Sequence, residues 1–295
     1  MTDLAVVADE VREALERRYP VVALETTLVA HGFPAPEGIE IGLESEAAVR
    51  ASGAVPATIG VLDGRVRIGL KENELARFTP EARKAGPRDL AACAMQGAVG
   101  ATTVGGALAV AALVGIRFLG TGGIGGVHRG FAASPDVSAD VPALARSQAL
   151  VVSSGAKSLL DVSATMELLE TLGVPVLGFR ADTLPLFYSD SGGPPVPQRV
   201  EDAAEAARIA DAHWQLGGYG LLLANPPPES LDVEDLIEEA VAEASRQGVS
   251  GQAVTPFVLA FLHDRSGGRT REVNRTLIVA NARLAGEVAA ASADL

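Results

Sequence analysis

Short apolar runs alternate with amphipathic stretches along the whole chain, and that alternation is the feature that most constrains the fold. The runs Val21–Leu24, Thr58–Leu62, Arg117–Thr121, Ala149–Ser153, Val174–Phe179 and Gly220–Ala224 have strand length. Helical periodicity covers Ile39–Ser52, Val104–Val114, Ser158–Leu172, Ala203–Leu216, Val233–Gln247 and Thr255–Asp264, and a last helix runs from Arg271 towards Ala291. Gly53, Gly115, Gly173, Gly217 and Gly248 each follow a periodic segment, where a left-handed residue closes a helix. Strand-helix alternation predicts an α/β/α layer fold with a mostly parallel sheet. Arg65–Ile68 after Asp63-Gly64 looks like a hairpin return, which makes the sheet mixed. The Pro-rich stretch 191–198 is a poor domain boundary, since only about 95 residues follow it. One domain spanning residues 1–295 is expected.

Composition narrows the partners. A net charge of −13 with no basic stripe argues against a nucleic-acid backbone and leaves a small-molecule substrate. Leu90 to Ile116 carries no charge, but it holds five glycines and its clean apolar run, Ala107–Val114, is too short to span a bilayer. A buried core helix is expected there, and no membrane partner. The single Cys93 cannot form an intrachain disulfide, and the N-terminal stretch is acidic without an uninterrupted apolar region. Both point to the cytoplasm.

Chemistry-bearing residues gather at predicted strand ends, where open α/β sheets bind ligands. Glu25 ends the apolar run VVAL, as a helix cap, an ion-pair partner or an acid/base group. Gly120, Gly122 and Gly125 satisfy G-x-G-x-x-G, yet Gly126, Gly130 and Pro135 oppose the helix that a dinucleotide site requires. A glycine loop whose amides approach a phosphate or carboxylate, with His128 and Arg129 beside it, suits the residues better. Ser134-Pro-Asp-Val-Ser-Ala-Asp140 offers hard oxygen ligands for Mg²⁺ or Mn²⁺, or a turn followed by a helix cap. The segment Val151–Ser158 superficially resembles a P-loop, but Ala156 separates Gly155 from Lys157. A lysine at the start of the predicted helix would feel the macrodipole and favour its neutral, nucleophilic amine. Only Lys71, Lys84 and Lys157 among 24 basic residues are lysines, so retention of an amine at position 157 is itself informative.

The stretches VVALETTLVAHGFPAPE, GAVPATIGVLDGRVRIGL, GATTV, GTGGIGGVHRG, DVSAD, SSGAKSLLD, LLLANP, TPFVLA and NARLA occur in order over nearly the whole chain. In these the sequence resembles the pseudouridine-5′-phosphate glycosidase family, also called the indigoidine synthase A family. The resemblance implies reversible cleavage of pseudouridine 5′-phosphate to uracil and ribose 5-phosphate, a divalent metal (usually Mn²⁺) and a homotrimer. It also implies Lys157 as nucleophile, Glu25 as proton donor, Asp136 as metal ligand, and Lys84, Val104, Ser138, Ala139 and Asp140 as substrate contacts. His128 and Asn281 are implied pocket residues. Two departures stand out. Relatives carry Ser-Arg-Arg-Asp after a Lys-Val pair where this chain has Ala85-Gly86-Pro87-Arg88-Asp89, and Gly-Lys before GATTV where it has GAV. The rival readings are a nucleotide-binding oxidoreductase and a non-catalytic metabolite-binding or pigment-pathway accessory protein.

Overall fold

The computed structural model describes residues 4–132, 135–157, 159–249 and 254–295. Ser134 and Ser158, each part of a motif above, lie outside the described residues. The strands in chain order are β1 (Ala5–Val7), β2 (Val21–Leu24), β3 (Val55–Leu62), β4 (Arg65–Ile68), β5 (Arg83–Ala85), β6 (Gly100–Thr102) and β7 (Phe118–Gly120). They continue with β8 (Val127–His128), β9 (Leu150–Ser153), β10 (Leu160–Asp161), β11 (Val176–Phe179), β12 (Gln198–Val200) and β13 (Leu221–Ala224).

Among the described residues, eleven strands form one sheet whose main path is β1-β4-β3-β2-β7-β9-β13-β11-β12. From β3 through β12 every neighbouring pair on this path is parallel, whereas β4 and β6 run antiparallel to β3. The mixed sheet is as expected. At the predicted hairpin, Asp63 (φ 52°) and Gly64 (φ 73°) are both left-handed, as a two-residue turn that follows strand twist requires. Separately, β8 and β10 make a two-stranded antiparallel ribbon.

Every residue of β2, β7, β9 and β13 is buried, so both sheet faces are covered. The period of two sorts them into two cores. Val22, Leu24, Leu150 and Val152 pack with Ala282, Ala285 and Trp214. Val21, Ala23, Leu119 and Val151 pack with Val104 and Leu108 on the other face. The long helix Arg269–Ala293 crosses β2, β7 and β9, flanked by helices Glu37–Ala51 and Ala203–Gln215. At Gly120 a β-carbon would stand 3.0 Å from Ala282 Cα, so glycine there lets the helix lie directly on β7. No helix among the described residues is long and apolar enough to cross a membrane.

The buried core helix expected in the uncharged stretch from Leu90 to Ile116 is helix Val104–Val114, with the bounds expected, and the rest of the stretch forms helix Leu90–Met95 and strand β6. Gly97 and the pairing of β6 with β3 break the stretch, and glycine in a left-handed turn interrupts helix more readily than apolar composition sustains it. One expectation is corrected. The helix expected from Ser158 begins at Val162, where the Asp161 side chain accepts from the Ala164 amide at 2.9 Å. Leu160–Asp161 is instead drawn into the ribbon with β8. Lys157 therefore sits on a loop, ahead of the first helical turn, and not at a helix N-terminus.

Candidate active site

The chain leaves β2 for β3 on one side and returns through β7 on the other, so β2 and β7 flank a topological switch point. Ligand crevices form at such points because the loops after the two strands diverge. The loop after β2 carries Glu25, the loop after β7 carries the glycines, and the loop after β9 carries Lys157. They meet in a cavity of about 270 Å³ lined by Glu25, Lys84, Val104, His128, Asp136 and Lys157, with Ser138, Ala139 and Asp140 in the same wall. Nine of the ten residues implied by the resemblance are thus brought together.

Glu25 is 6% exposed. One carboxylate oxygen accepts from the Leu28 amide at 2.9 Å, and the other lies 3.4 Å from the Thr121 hydroxyl, across the switch point. Burial pushes its pKa above the ordinary carboxylate range, against the pull of Lys157 and the Leu28 amide. The backbone beyond Glu25 widens into a single π-helical turn, Leu28–Gly32. Thr26 fixes its approach: its hydroxyl donates to Ile59 O at 2.9 Å and accepts from the Thr102 amide at 2.9 Å.

Lys84 reaches the same space from β5. Burial, reinforced by the charge of Lys157, pulls its pKa down to about 8, while Asp140, Glu25 and Asp136 resist. The backbone amide of Lys157 donates to Ile124 O at 3.0 Å, so the lysine loop is hydrogen-bonded to the glycine loop. The turn before it depends on Gly155, at φ 73°, where a β-carbon would lie 2.2 Å from Pro185 O.

The glycine loop enters no helix and runs into β8, which disposes of the dinucleotide reading. Its amides do approach a carboxylate, and that carboxylate is the protein's own. Asp140 accepts from the Gly125 amide at 2.9 Å and from the Gly105 amide, at the start of helix Val104–Val114, at 2.8 Å. Asp140 is 4% exposed, so this substrate contact of the resemblance acts first as a clamp between the glycine loop and a helix N-terminus. His128 and Asp136 stand side by side, with Nδ1 3.9 Å from Oδ2 and the His128 amide donating to Asp136 O at 3.0 Å. Burial lowers the His128 pKa, so its imidazole is neutral at neutral pH. Arg129 turns away from this wall, donating to Glu234 at 2.7 Å and to Leu160 O.

Asn281 is the exception. It is fully buried in the long helix behind the cavity wall, where its amide nitrogen donates to Thr121 O at 2.8 Å, Gly122 O at 3.3 Å and Ser154 Oγ at 3.2 Å. Its oxygen accepts from Asn225 at 2.9 Å. It holds the loops that hold the site, with its hydrogen-bonding capacity already used. Sequence reasoning missed Thr27, Thr103, Asp89 and Thr255 in the lining. Thr103 caps helix Val104–Val114 by accepting from the Gly106 amide, a signal present in the run Thr-Thr-Val-Gly-Gly.

Among the described residues no group of three or more His, Cys, Asp or Glu side chains is arranged to hold a metal. Asp136, whose side chain is 41% exposed at the cavity, is a carboxylate open to a cation. A hard divalent ion with one protein carboxylate and otherwise water and substrate oxygens is compatible with this donor set.

Residues 10–291 match the family described as indigoidine synthase A like protein. A pseudouridine-5′-phosphate glycosidase of Caldanaerobacter subterraneus subsp. tengcongensis is 46% identical over 290 residues, covering 96% of this chain and 94% of that protein. One of Myxococcus xanthus is 46% identical over 295 residues, covering 97% of each. Among solved structures, the prealnumycin C-glycosynthase AlnA in complex with ribulose 5-phosphate superposes with a TM-score of 0.91 at 41% identity, covering 100% of this chain and 98% of that one. An indigoidine synthase A-like protein from Thermotoga maritima gives a TM-score of 0.89 at 37% identity, covering 98% and 97%. With nearly its whole length matched, the chain belongs to the indigoidine synthase A-like family.

Proposed function

We propose that this protein is an enzyme that reversibly cleaves the C–C glycosidic bond of pseudouridine 5′-phosphate, giving uracil and ribose 5-phosphate. The observation that carries this reading is the meeting of a buried carboxyl, Glu25, whose pKa burial raises, with two amines, Lys84 and Lys157, in one cavity. The names of the relatives supply the substrate. The pentulose 5-phosphate bound by the C-glycosynthase AlnA supports a site that accepts a sugar phosphate.

A C–C bond has no leaving-group oxygen to protonate, so the two-carboxylate glycosidase scheme does not transfer. A lysine offers another route. The Lys157 amine bonds to C1′ as the C1′–O4′ bond breaks, and the proton shed by the resulting ammonium passes to the ring oxygen. The nitrogen lone pair then forms C1′=N as the C1′–C5 bond breaks, its electron pair passing to uracil C5. Glu25 delivers the proton to C5. Water adds to the imine, returning the amine and releasing ribose 5-phosphate. A divalent cation, Mn²⁺ by the resemblance, would be held by Asp136 and would supply positive charge against the substrate phosphate. Lys84 contributes a second cation toward that phosphate. One observation favours a second assignment of the covalent step: Lys84 has its pKa drawn to about 8, which raises its share of neutral amine.

Incubation with pseudouridine 5′-phosphate and detection of free uracil tests the activity. Borohydride trapping of ribose 5-phosphate followed by mass spectrometry tests the lysine. An adduct at Lys157 is expected; one at Lys84 would exchange the two roles, and none at either would end the covalent scheme. EDTA is expected to abolish uracil release and Mn²⁺ to restore it. The resemblance alone supports a homotrimer, which light scattering checks. Absence of a possible intrachain disulfide, with the one cysteine Cys93 buried and free, supports a cytoplasmic location.

A further inference from the structure

The loop that carries Lys157 lies between two others. On one side Ile124 of the glycine loop pairs with Ala156, the Ile124 amide donating to Gly155 O at 3.1 Å and the Lys157 amide donating back to Ile124 O at 3.0 Å. On the other side Gly155 pairs antiparallel with Leu186, and the Phe187 amide donates to Ser154 O at 3.1 Å. Leu186 and Phe187 belong to the loop after β11, which takes no part in the proposed reaction.

Phe187 stands apart in that loop. Its φ is 65°, in the left-handed region that a bulky side chain rarely enters. The other non-glycine residues with positive φ among the described residues, Arg18, Asp63 and Arg180, are exposed, whereas Phe187 is 4% exposed. Backbone strain of this kind persists only where the surroundings impose it. Two contacts made at once impose it here. The amide is held by Ser154 O, and the ring lies against Gly123, where a β-carbon would stand 2.7 Å from the Phe187 ring. Tyr188 adds a perpendicular ring contact, 4.8 Å between centroids.

We infer that Phe187 is a positioning residue for Lys157: its left-handed backbone lets one residue bond the Lys157 loop and press on the glycine loop, so that the amine-bearing segment is gripped from both sides. The inference rests on the covalent role of Lys157 proposed above. A reacting group on a loop is held less firmly than one on a helix or strand, and misplacement by about 1 Å can cost roughly 10²-fold in rate. Lys157 lies ahead of helix Val162–Thr171, so its position comes from the loops beside it. Strain at Phe187 accompanies that grip and is maintained by it.

The test measures two quantities in each variant: the rate at which borohydride traps ribose 5-phosphate on Lys157, with the adduct located by mass spectrometry, and the melting temperature. Phe187→Ala and Phe187→Gly should each slow trapping roughly tenfold or more. Phe187→Gly should nevertheless melt higher than Phe187→Ala, because glycine enters positive φ freely. The reverse order would show that the backbone is unstrained and overturn the grip. Gly123→Ala, which crowds the ring, should also slow trapping, and in the Phe187→Gly background it should have little further effect. Fully additive losses would show that the ring does not act through the glycine loop. Trapping at the wild-type rate in both Phe187 variants, even with KM for pseudouridine 5′-phosphate raised, overturns the positioning role and leaves the proposed activity intact. Absence of an adduct at Lys157 in the wild-type protein overturns the covalent reading and this inference with it.

Discussion

Glu25 and Asp140 are both nearly excluded from water and stand in the walls of one cavity, yet their surroundings treat them oppositely. Asp140 receives two short backbone N–H bonds, one on each oxygen. Glu25 receives one at 2.9 Å from Leu28, a weaker backbone contribution from Thr27, and a long approach from a hydroxyl on the other oxygen. Burial alone therefore does not decide what a carboxyl does. The supply of donors does: the better-supplied carboxyl ties the glycine loop to the start of a helix, and the other is pushed toward the protonated form that a general acid needs.

The contrast predicts opposite failures. The largest effect is expected from Glu25→Gln, which should lower uracil release roughly 10²–10⁴-fold, as loss of a general acid does. Stability should move the other way. Because the folded-state pKa of Glu25 is raised, its contribution to stability is full below the unfolded value of 4.5 and is lost as pH rises through the folded value. The Glu25→Gln variant should thus melt no lower than wild type near about pH 7, any advantage vanishing near about pH 4. A clear drop in melting temperature at neutral pH would mean that Glu25 is structural.

Asp140→Asn comes next. It turns an amide N–H₂ toward one of the two backbone N–H groups, and roughly 2–3 kcal/mol of stability should be lost in chemical denaturation. Activity should fall with the loss of loop geometry. If stability holds while activity collapses, Asp140 contacts substrate more than it clamps. The smallest effect falls on Lys84. With its pKa lowered to about 8, its charge is present below that value and lost above it, so kcat/KM should decline as pH rises through about 8. Asp140 helps to hold that charge, so Asp140→Asn should move the decline to lower pH. A decline that does not move would dissociate the two groups.

How far these features could be read beforehand depended on whether their causes were local. Glu25 was legible because a carboxylate interrupting VVAL breaks an apolar run within five residues. The five helix-closing glycines were legible for the same reason, and all have positive φ. The start of the helix after Lys157 was not, because Leu160 pairs with His128, over thirty residues away, and local periodicity carries no trace of that pairing. Strands β1, β5, β6, β8, β10 and β12, of two or three residues each, exist only through such partners. Asn281 is implied as a pocket residue by the resemblance, but only the fold shows that four neighbours already use its amide. Phe187 passed unread, since its left-handed backbone is set by contacts with Ser154 and Gly123, distant in sequence.

Two of the protein's three lysines line the cavity, and the third, Lys71, is exposed at the start of a short helix. Arginine has taken nearly every other basic position, so the molecule is close to silent toward amine-directed reagents outside its centre. An aldehyde or activated ester meets one exposed side-chain amine, that of Lys71, and the two half-buried amines of the cavity. Peptide mapping of a labelled sample then resolves to a handful of sites. Protection by a sugar phosphate can be followed at each of them separately, with Lys71 as the internal standard in every measurement.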